Sequence, residues 1–133
     1  MSEEYRSNHR RRKAVKTEAK KTSRQSECRT AWNRISARKT REVVNLIRGK
    51  HVNDAIAILR LCTRKAAFPT LKALKSAMAN AHETKKMDLN RLYVHLAYVE
   101  EGPTLRRMLP RARGRADRIR KRTSHTIIVL AER

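Results

Sequence analysis

Two strand-like segments of this chain are separated by the sequence Pro103-Thr-Leu-Arg-Arg-Met-Leu-Pro-Arg-Ala-Arg-Gly-Arg-Ala-Asp-Arg-Ile-Arg-Lys-Arg122. This segment has nine basic residues, eight of them arginine, and a single acidic residue, Asp117. Hairpin loops usually have two to five residues, and longer structureless loops are commonly functional or disordered. Ten residues out and ten back, at ~3.3 Å each, would reach roughly 30 Å from the body. Because guanidinium groups bind phosphates and stack on bases, the segment favours contact with a folded RNA.

The flanking segments have the patterns of two strands. Alternate residues of 92–98 are apolar, which predicts a strand with one face buried. The two alternating sets are Leu92, Val94, Leu96 and Tyr98, and Tyr93, His95, Ala97 and Val99. After the basic segment, residues 123–131 contain four consecutive aliphatic residues and predict a second strong strand. An edge strand is predicted earlier in the chain, over residues 26–35.

Three helices are predicted between the first strand and the second. The first covers about residues 37–48, with Ser36 as its N-cap and Gly49 as the left-handed residue after its end. The second covers about 54–62, with Asn53 as its N-cap. The third runs from about 64 to 82, and Pro69 is tolerated because it falls in the first turn. Its predicted buried stripe consists of Phe68, Leu71, Leu74, Met78 and Ala81. The order predicts a single α+β domain over residues 26–133.

The charge of the chain favours a polyanionic partner. The 133 residues include 34 Lys+Arg and 12 Asp+Glu, a formal net charge of +22. Such a charge on so small a body is self-repelling, and nucleic acid is the best screen because each neutralised phosphate releases counterions. A lipid surface would need a basic amphipathic helix with bulky apolar anchors, and no apolar run reaches the ~20 residues of a membrane span. We therefore predict no membrane partner.

The N-terminal residues are predicted to form a disordered basic extension. Residues 1–25 include nine basic residues and almost no large apolar ones, too few to offset the entropy of ordering. We expect this extension to order on RNA. It contains no hydrophobic signal segment, and its acidic residues disfavour a transit peptide, so a bacterial cytoplasm is favoured over an organelle.

Cys28 and Cys62 lack metal-site spacing, and we predict reduced thiols with no metal and no cofactor.

Several motifs resemble one family closely. Tyr98-Val-Glu-Glu-Gly-Pro103, Leu109-Pro-Arg-Ala-Arg-Gly-Arg-Ala-Asp117 and Lys121-Arg-Thr-Ser-His125 are similar to the bacterial-type large-subunit ribosomal protein twenty-two family. So are Ile35-Ser-Ala-Arg-Lys39 with Leu46-Ile-Arg-Gly-Lys50, and Ser76-Ala-Met-Ala-Asn-Ala81. The likeness runs in order from about residue 26 to the end. The sequence departs from the family in its long N-terminal extension and at Thr126, where an aliphatic residue is usual.

The resemblance implies three helices packed on a three-stranded antiparallel sheet, with an extended β-hairpin over about residues 92–131. It also implies a structural protein of the large ribosomal subunit, not an enzyme, that binds rRNA early in assembly. The body would lie near the opening of the polypeptide exit tunnel, and the hairpin tip would line the tunnel wall. The implied tip residues are Arg111, Ala112, Arg113, Gly114 and Arg115. Leu105, Arg106 and Arg107 would form the adjoining region, which the family links to macrolide sensitivity.

The implied partners and contact residues complete the expectation. The partners are large-subunit rRNA, neighbouring large-subunit ribosomal proteins and the nascent polypeptide, and the protein is not expected to form a homo-oligomer. The candidate rRNA-binding residues are Arg38, Lys39, Arg106, Arg107, Arg111, Arg113, Arg115, Arg118, Arg120, Lys121 and Arg122.

Two other functions fit the sequence less well. The first two helices have the spacing of a DNA-binding helix-turn-helix, but the second offers mostly alanine, isoleucine and leucine, with Asp54 in its first turn. An RNA-directed enzyme would need converging catalytic groups. The histidines are scattered, and Glu100 and Glu101 would point to opposite faces of a strand.

Overall fold

The computed structural model describes residues 25–132. These residues form one antiparallel sheet covered by three helices, as predicted. The elements are β1 (Gln25–Asn33), α1 (Ala37–Ile47), α2 (Val52–Leu61), α3 (Ala67–Lys85), β2 (Leu92–Pro110) and β3 (Ala116–Glu132). The strand order is β1-β3-β2, so β1 is an edge strand and β3 is central. The proposed extension falls on residues 1–24, which lie outside the described residues, and on Gln25, which is the first residue of β1.

Helix α1 begins and ends where the sequence predicts, but the predicted capping hydrogen bond is absent. Ser36 is the N-cap residue, yet its hydroxyl accepts no bond from a first-turn N–H. The Thr40 hydroxyl donates to the Ser36 carbonyl at 3.2 Å. Val43, Val44 and Ile47 are fully buried. Gly49 follows the helix with φ +75°, the left-handed conformation that a residue without a Cβ adopts most easily.

Helix α2 begins earlier than predicted, and its N-cap is His51 rather than Asn53. The His51 Nδ1 accepts from the Asn53 backbone N–H at 3.3 Å. His51 also forms an isolated bridge to Tyr93, and its Nε2 lies 2.8 Å from the Asn90 carbonyl. These contacts hold His51 in an extended conformation, so the helix starts at Val52. The sequence around Asn53 carries no sign of this long-range bridge.

Helix α3 packs on the sheet through small residues, and the predicted place of Phe68 in its buried stripe is wrong. Phe68 is 77% exposed, whereas Leu74 is fully buried and Leu71 and Met78 are partly buried. The buried side is completed by Ala67, Thr70, Ala73, Ala77 and Ala81. Short side chains let the helix backbone approach β1, where the Ser26 hydroxyl donates to the Ala77 carbonyl at 3.0 Å.

A β-bulge at His95 reverses the buried face of β2. Val94 pairs with Leu130 and Leu96 pairs with Val129, which leaves His95 as an extra residue. The buried residues are Leu92 and Val94 before the bulge, but Ala97 and Val99 after it. The predicted burial of Leu96 and Tyr98 on the same face as Leu92 is therefore wrong. One inserted residue shifts the two-residue period and turns each following side chain to the other face.

A second bulge marks the point where the hairpin leaves the body. Glu101 pairs with Ser124 and Thr104 with Arg122, so Gly102 and Pro103 together oppose Thr123. The Thr123 hydroxyl donates to the Pro103 carbonyl at 2.7 Å. A Cβ on Gly102 would lie 2.4 Å from that hydroxyl oxygen, which is closer than packed atoms approach. Glycine is therefore required for this junction.

Beyond this junction, the segment predicted from its pattern to be a long loop is an antiparallel ladder. β2 and β3 pair continuously from Thr104 opposite Arg122 to Pro110 opposite Ala116. Only residues 111–115 form the turn. The long hairpin implied by the family resemblance is confirmed. At ~3.3 Å per residue, the seven residues from Thr104 to Pro110 extend it roughly 23 Å from the junction.

The two acidic residues before the junction point to opposite faces, as predicted. Glu100 pairs with Arg29 of β1 at 3.3 Å, and Glu101 lies 3.9 Å from Arg41 of α1.

On the Glu100 face, Tyr98 is partly buried, and this burial raises the pKa of its phenol. The nearby carboxylates of Glu27 and Glu100 raise the pKa of Tyr98 further, and Arg29 partly offsets them.

The first prediction tests the corrected packing of α3. Leu74→Ala should lower the free energy of unfolding by about 2–5 kcal/mol, because it removes a fully buried side chain. Phe68→Ala on the same helix should change it by no more than about 0.5 kcal/mol. Urea unfolding of both variants is the measurement. Equal losses would show that the buried side is misassigned.

The second prediction concerns alkaline pH. Because the pKa of Tyr98 is raised in the folded protein, the unfolded chain ionises first as the pH passes the ordinary tyrosine value of 10.0. The contribution of neutral Tyr98 to the free energy of unfolding is therefore fully present below pH 10. It is lost as the pH rises through the raised pKa. Tyr98→Phe should show a smaller fall in stability between pH 9 and pH 11 than the parent. Identical pH profiles would contradict this.

Candidate nucleic-acid interface

The hairpin ladder sets cations directly opposite one another. Arg106 pairs with Arg120 across the two strands, and both side chains are exposed. Residues directly opposite in an antiparallel pair have Cβ atoms about 4.5–5.5 Å apart, and like charges placed there are destabilising. The ladder alone therefore brings positive charge together without compensation.

The two faces of the hairpin differ in character. One face is arginine-rich and consists of Thr104, Arg106, Met108, Arg118, Arg120 and Arg122. The opposite face alternates basic and aliphatic residues and consists of Leu105, Arg107, Leu109, Asp117, Ile119 and Lys121. We call the first the arginine face and the second the mixed face. A polyanion lying along the arginine face would meet four guanidinium groups spaced along a rigid ladder.

The base of the hairpin, with residues of both faces, meets the start of α1 in a cleft of about 570 Å³. Its described lining residues include seven cations and no acidic residue. The cations are Arg34, Lys39, Lys65, Arg107, Arg120, Lys121 and Arg122, and the other lining residues are Ile35, Ser36, Leu105 and Thr123. We call this the basal cleft. The structure thus joins Lys39 of the body to the hairpin, although more than sixty residues separate them in the sequence.

Arg38 lies beside the basal cleft rather than in it. It lines one depression together with Thr104, Arg122 and the Gly102 junction, and a second one with Glu42 and Arg64. Glu42 forms an ion pair with Arg64. The candidate residues Arg38 and Lys39 therefore both face the hairpin base, as neighbours on the first turn of α1. That turn contains no acidic residue, so the positive end of the helix adds to the cationic surface.

The tip is a tight turn held by its own contacts. The Arg111 backbone N–H donates to the Arg115 carbonyl at 2.8 Å, and Arg113 and Gly114 both have positive φ. The Arg111 Nε donates to an Asp117 carboxylate oxygen at 2.8 Å. Both side chains of this ion pair are more than half exposed, so its contribution to stability is small. Arg113 and Arg115 project from the turn with no ion-pair partner among the described residues.

Apart from Arg38, which lies beside the cleft, the predicted candidates fall into three groups. Lys39, Arg107, Arg120, Lys121 and Arg122 meet in the basal cleft; Arg106 and Arg118 lie farther along the arginine face; and Arg111, Arg113 and Arg115 lie at the tip. Sequence reasoning missed Arg34, which precedes α1, and Lys65, which lies between α2 and α3; both line the cleft. Arg34 could have been found, since it stands two residues before the predicted helix cap, whereas nothing around Lys65 signals its position.

Other basic residues have structural roles. Arg48 donates twice to the Ala97 carbonyl, at 2.7 and 3.2 Å, and Arg41 donates to the Val99 carbonyl at 3.3 Å. These bonds tie α1 to β2.

Cys28 and Cys62 are half-buried and unpaired. Over residues 25–132, no group of three or more His, Cys, Asp or Glu side chains is placed to hold a metal ion, and no helix is long and apolar enough to span a membrane.

Comparison with known proteins gives a consistent result. The sequence model of the family described as ribosomal protein L22p/L17e matches residues 28–131. The large ribosomal subunit protein uL22 of Desulfitobacterium hafniense (strain Y51) is 56% identical over 100 residues, which cover 75% of this chain and 88% of the relative. The uL22 proteins of Thermoanaerobacter sp. (strain X514) and Thermus thermophilus are 54% and 55% identical over the same length, covering 90% and 88% of those chains.

A third prediction tests the opposed charges. In the free protein at low salt, Arg106→Gln should stabilise the hairpin ladder by about 0.2–1 kcal/mol, because it removes one of two directly opposed cations. The gain should vanish at high salt, which screens exposed charges. Amide hydrogen exchange of residues 105–109 measures it.

Arg113→Gln is the matched control, since it removes the same charge at the turn, where Arg113 has no cross-strand partner. If both variants changed hydrogen exchange equally, the repulsion would arise from the total charge of the hairpin and not from the pairing of Arg106 with Arg120.

Proposed function

This chain belongs to the ribosomal protein L22p/L17e family, and we propose that it acts as a structural component of the large ribosomal subunit that binds rRNA through its hairpin and basal cleft. Its partners in this proposal are large-subunit rRNA and neighbouring large-subunit ribosomal proteins. It acts as a single copy in a bacterial-type ribosome, and it performs no catalysis.

The observation that carries this proposal is the arginine face. Arg106 and Arg120 stand directly opposite each other, with Arg118 and Arg122 on the same face. An arrangement that repels itself in water becomes favourable when phosphates lie along it and release their counterions. Asp117, the one acidic residue of the hairpin beyond the Gly102 junction, is on the other face and pairs with Arg111 at the tip.

RNA suits this surface better than other polyanions. Arginine exceeds lysine eight to one in the hairpin segment, and the planar guanidinium binds phosphate with two parallel hydrogen bonds. A ladder of the length described above can enter a folded RNA and contact several of its helices at once, while the body stays outside. The basal cleft would then hold RNA where the hairpin meets the body.

The tip has a more specific role in this proposal. Residues 111–115 form the turn farthest from the body, and their contact with a tunnel wall would follow if the hairpin reaches inward from a body near the exit opening. Arg113 and Arg115 would meet rRNA or the passing nascent polypeptide there. The compact turn, with its left-handed Arg113 and Gly114, keeps the end of the hairpin narrow.

The fourth prediction tests this function at the tip. Arg111→Gln, Arg113→Gln and Arg115→Gln together remove three exposed charges, so stability should change by no more than about 0.5 kcal/mol per site. The slope of log affinity for large-subunit rRNA against log salt should shrink by about two to three units, because one phosphate contact is lost per arginine. Ribosomes carrying the variant should show altered nascent-chain passage or macrolide sensitivity.

A same-charge control separates this surface from general attraction. Arg60, Lys72 and Lys75 are exposed on the helices, away from the hairpin, and their joint replacement by glutamine also removes three charges. The proposal expects a smaller loss of slope for this control. Equal salt slopes in the two triple variants would show that the tip arginines contribute no more to RNA binding than other surface cations. An unchanged salt slope in the tip variant would refute contact between the tip and phosphate.

A further inference from the structure

We propose that the basal cleft binds one unpaired nucleotide of the RNA, with its base on an apolar floor and its phosphates on the surrounding cations. This inference rests on the proposed function and specifies the form of RNA that the cleft selects. Lys39, Lys65 and Arg107 approach the cleft from three different elements or loops, so the site exists only in the folded protein.

Ile35 and Leu105 are the two aliphatic residues of the cleft lining, and we call the apolar surface that they provide the floor. Ile35 is partly buried and packs against the core, so its position is fixed by the body. Leu105 comes from the mixed face of the hairpin and is 36% exposed. Between Ile35 and Leu105 the cleft offers a flat aromatic base a surface from which water can be displaced.

The rim is strongly and uniformly positive. None of the seven lining cations forms an ion pair with another described residue, whereas Arg29, Arg41, Arg64, Arg91 and Arg111 all do. Arg107 donates from Nη1 to the Arg106 carbonyl at 2.9 Å, and its other N–H groups and the other six cations are available to a ligand. Their aliphatic stems also cover apolar surface, so the charged ends are held at the edge of the floor.

An unpaired nucleotide can contact the apolar floor and the cationic rim of the basal cleft at the same time. A paired RNA helix presents phosphates on its outside and keeps its bases stacked within, so it would satisfy the rim and leave the floor bare. A free phosphate would do the same. An extruded nucleotide brings an aromatic face together with negative charge, and proteins read folded RNA mainly at such unpaired bases, often with arginine stacked on them. The volume of about 570 Å³ lies within the range of small-molecule sites.

The chain offers a closely matched pair of variants for the test. Leu105 and Leu109 lie on the same face of the same strand and are 36% and 37% exposed, but only Leu105 lines the cleft. The probe is a short RNA stem carrying one looped-out nucleotide, compared with the same stem fully paired. Leu105→Ala should weaken binding of the looped-out stem about tenfold, because it removes apolar surface that the base would bury. Leu109→Ala should change it less than twofold.

Two further measurements distinguish a failure of the nucleotide site from a failure of the proposed function. Leu105→Ala removes no charge, so the salt slope should stay unchanged, whereas Lys39→Gln should lower it by about one unit. A 4-thiouridine at the looped-out position should crosslink to peptides containing Ile35 or Leu105. Urea unfolding of each variant checks that the fold is intact.

The outcomes are distinct. If Leu105→Ala and Leu109→Ala behave alike, or if both stems bind the parent equally, the nucleotide site is refuted while rRNA binding by the arginine face stands. If an acidic peptide such as oligoglutamate displaces the looped-out stem from the cleft at lower concentration than the paired stem does, the cleft belongs to a protein partner instead. An unchanged salt slope in every arginine variant would refute the proposed function itself.

Discussion

The positive charge that faces itself across the hairpin is the constraint on which the rest of the structure depends. Arg106 and Arg120 are directly opposed, and the segment around them has almost no acidic residue to separate its cations. A two-stranded ribbon is only marginally stable alone, and repulsion weakens it further. The ladder is therefore organised from its base, where it continues the sheet of the body, and we propose that RNA supplies the rest of its stabilisation.

The body provides that base through close backbone packing. β3 lies between the other two strands and runs from the core into the hairpin without a break, so the ladder inherits the twist and direction of the sheet. At the junction, Gly102 leaves room for Thr123, whose hydroxyl binds the Pro103 carbonyl. The bonds from Arg48 to Ala97 and from Arg41 to Val99 fix α1 against β2. The start of α1 is thereby held against the hairpin base, and the basal cleft is formed.

Much of this could be predicted from the sequence, and the errors share one cause. Local periodicity gave the order of strands and helices, the position of Gly49 and the buried Leu74. It failed where a distant contact overrides the local pattern. The extra residue at His95 turns Tyr98 away from the core, the bridge to Tyr93 makes His51 a cap, and the close approach of α3 to β1 favours alanines over Phe68. The candidate cations were identified from charge density, but their grouping into a cleft with Arg34 and Lys65 depends on tertiary structure alone.

Hydrogen exchange of the hairpin amides, compared between free protein and its complex with large-subunit rRNA, tests the central claim most directly. We expect fast exchange over residues 104–110 and 116–122 in the free protein at low salt, and strong protection in the complex, with little change in the buried core strands. Protection would rise because phosphates neutralise the opposed arginines. Equal exchange of these amides in the free and bound protein would contradict the claim that RNA stabilises the arginine face.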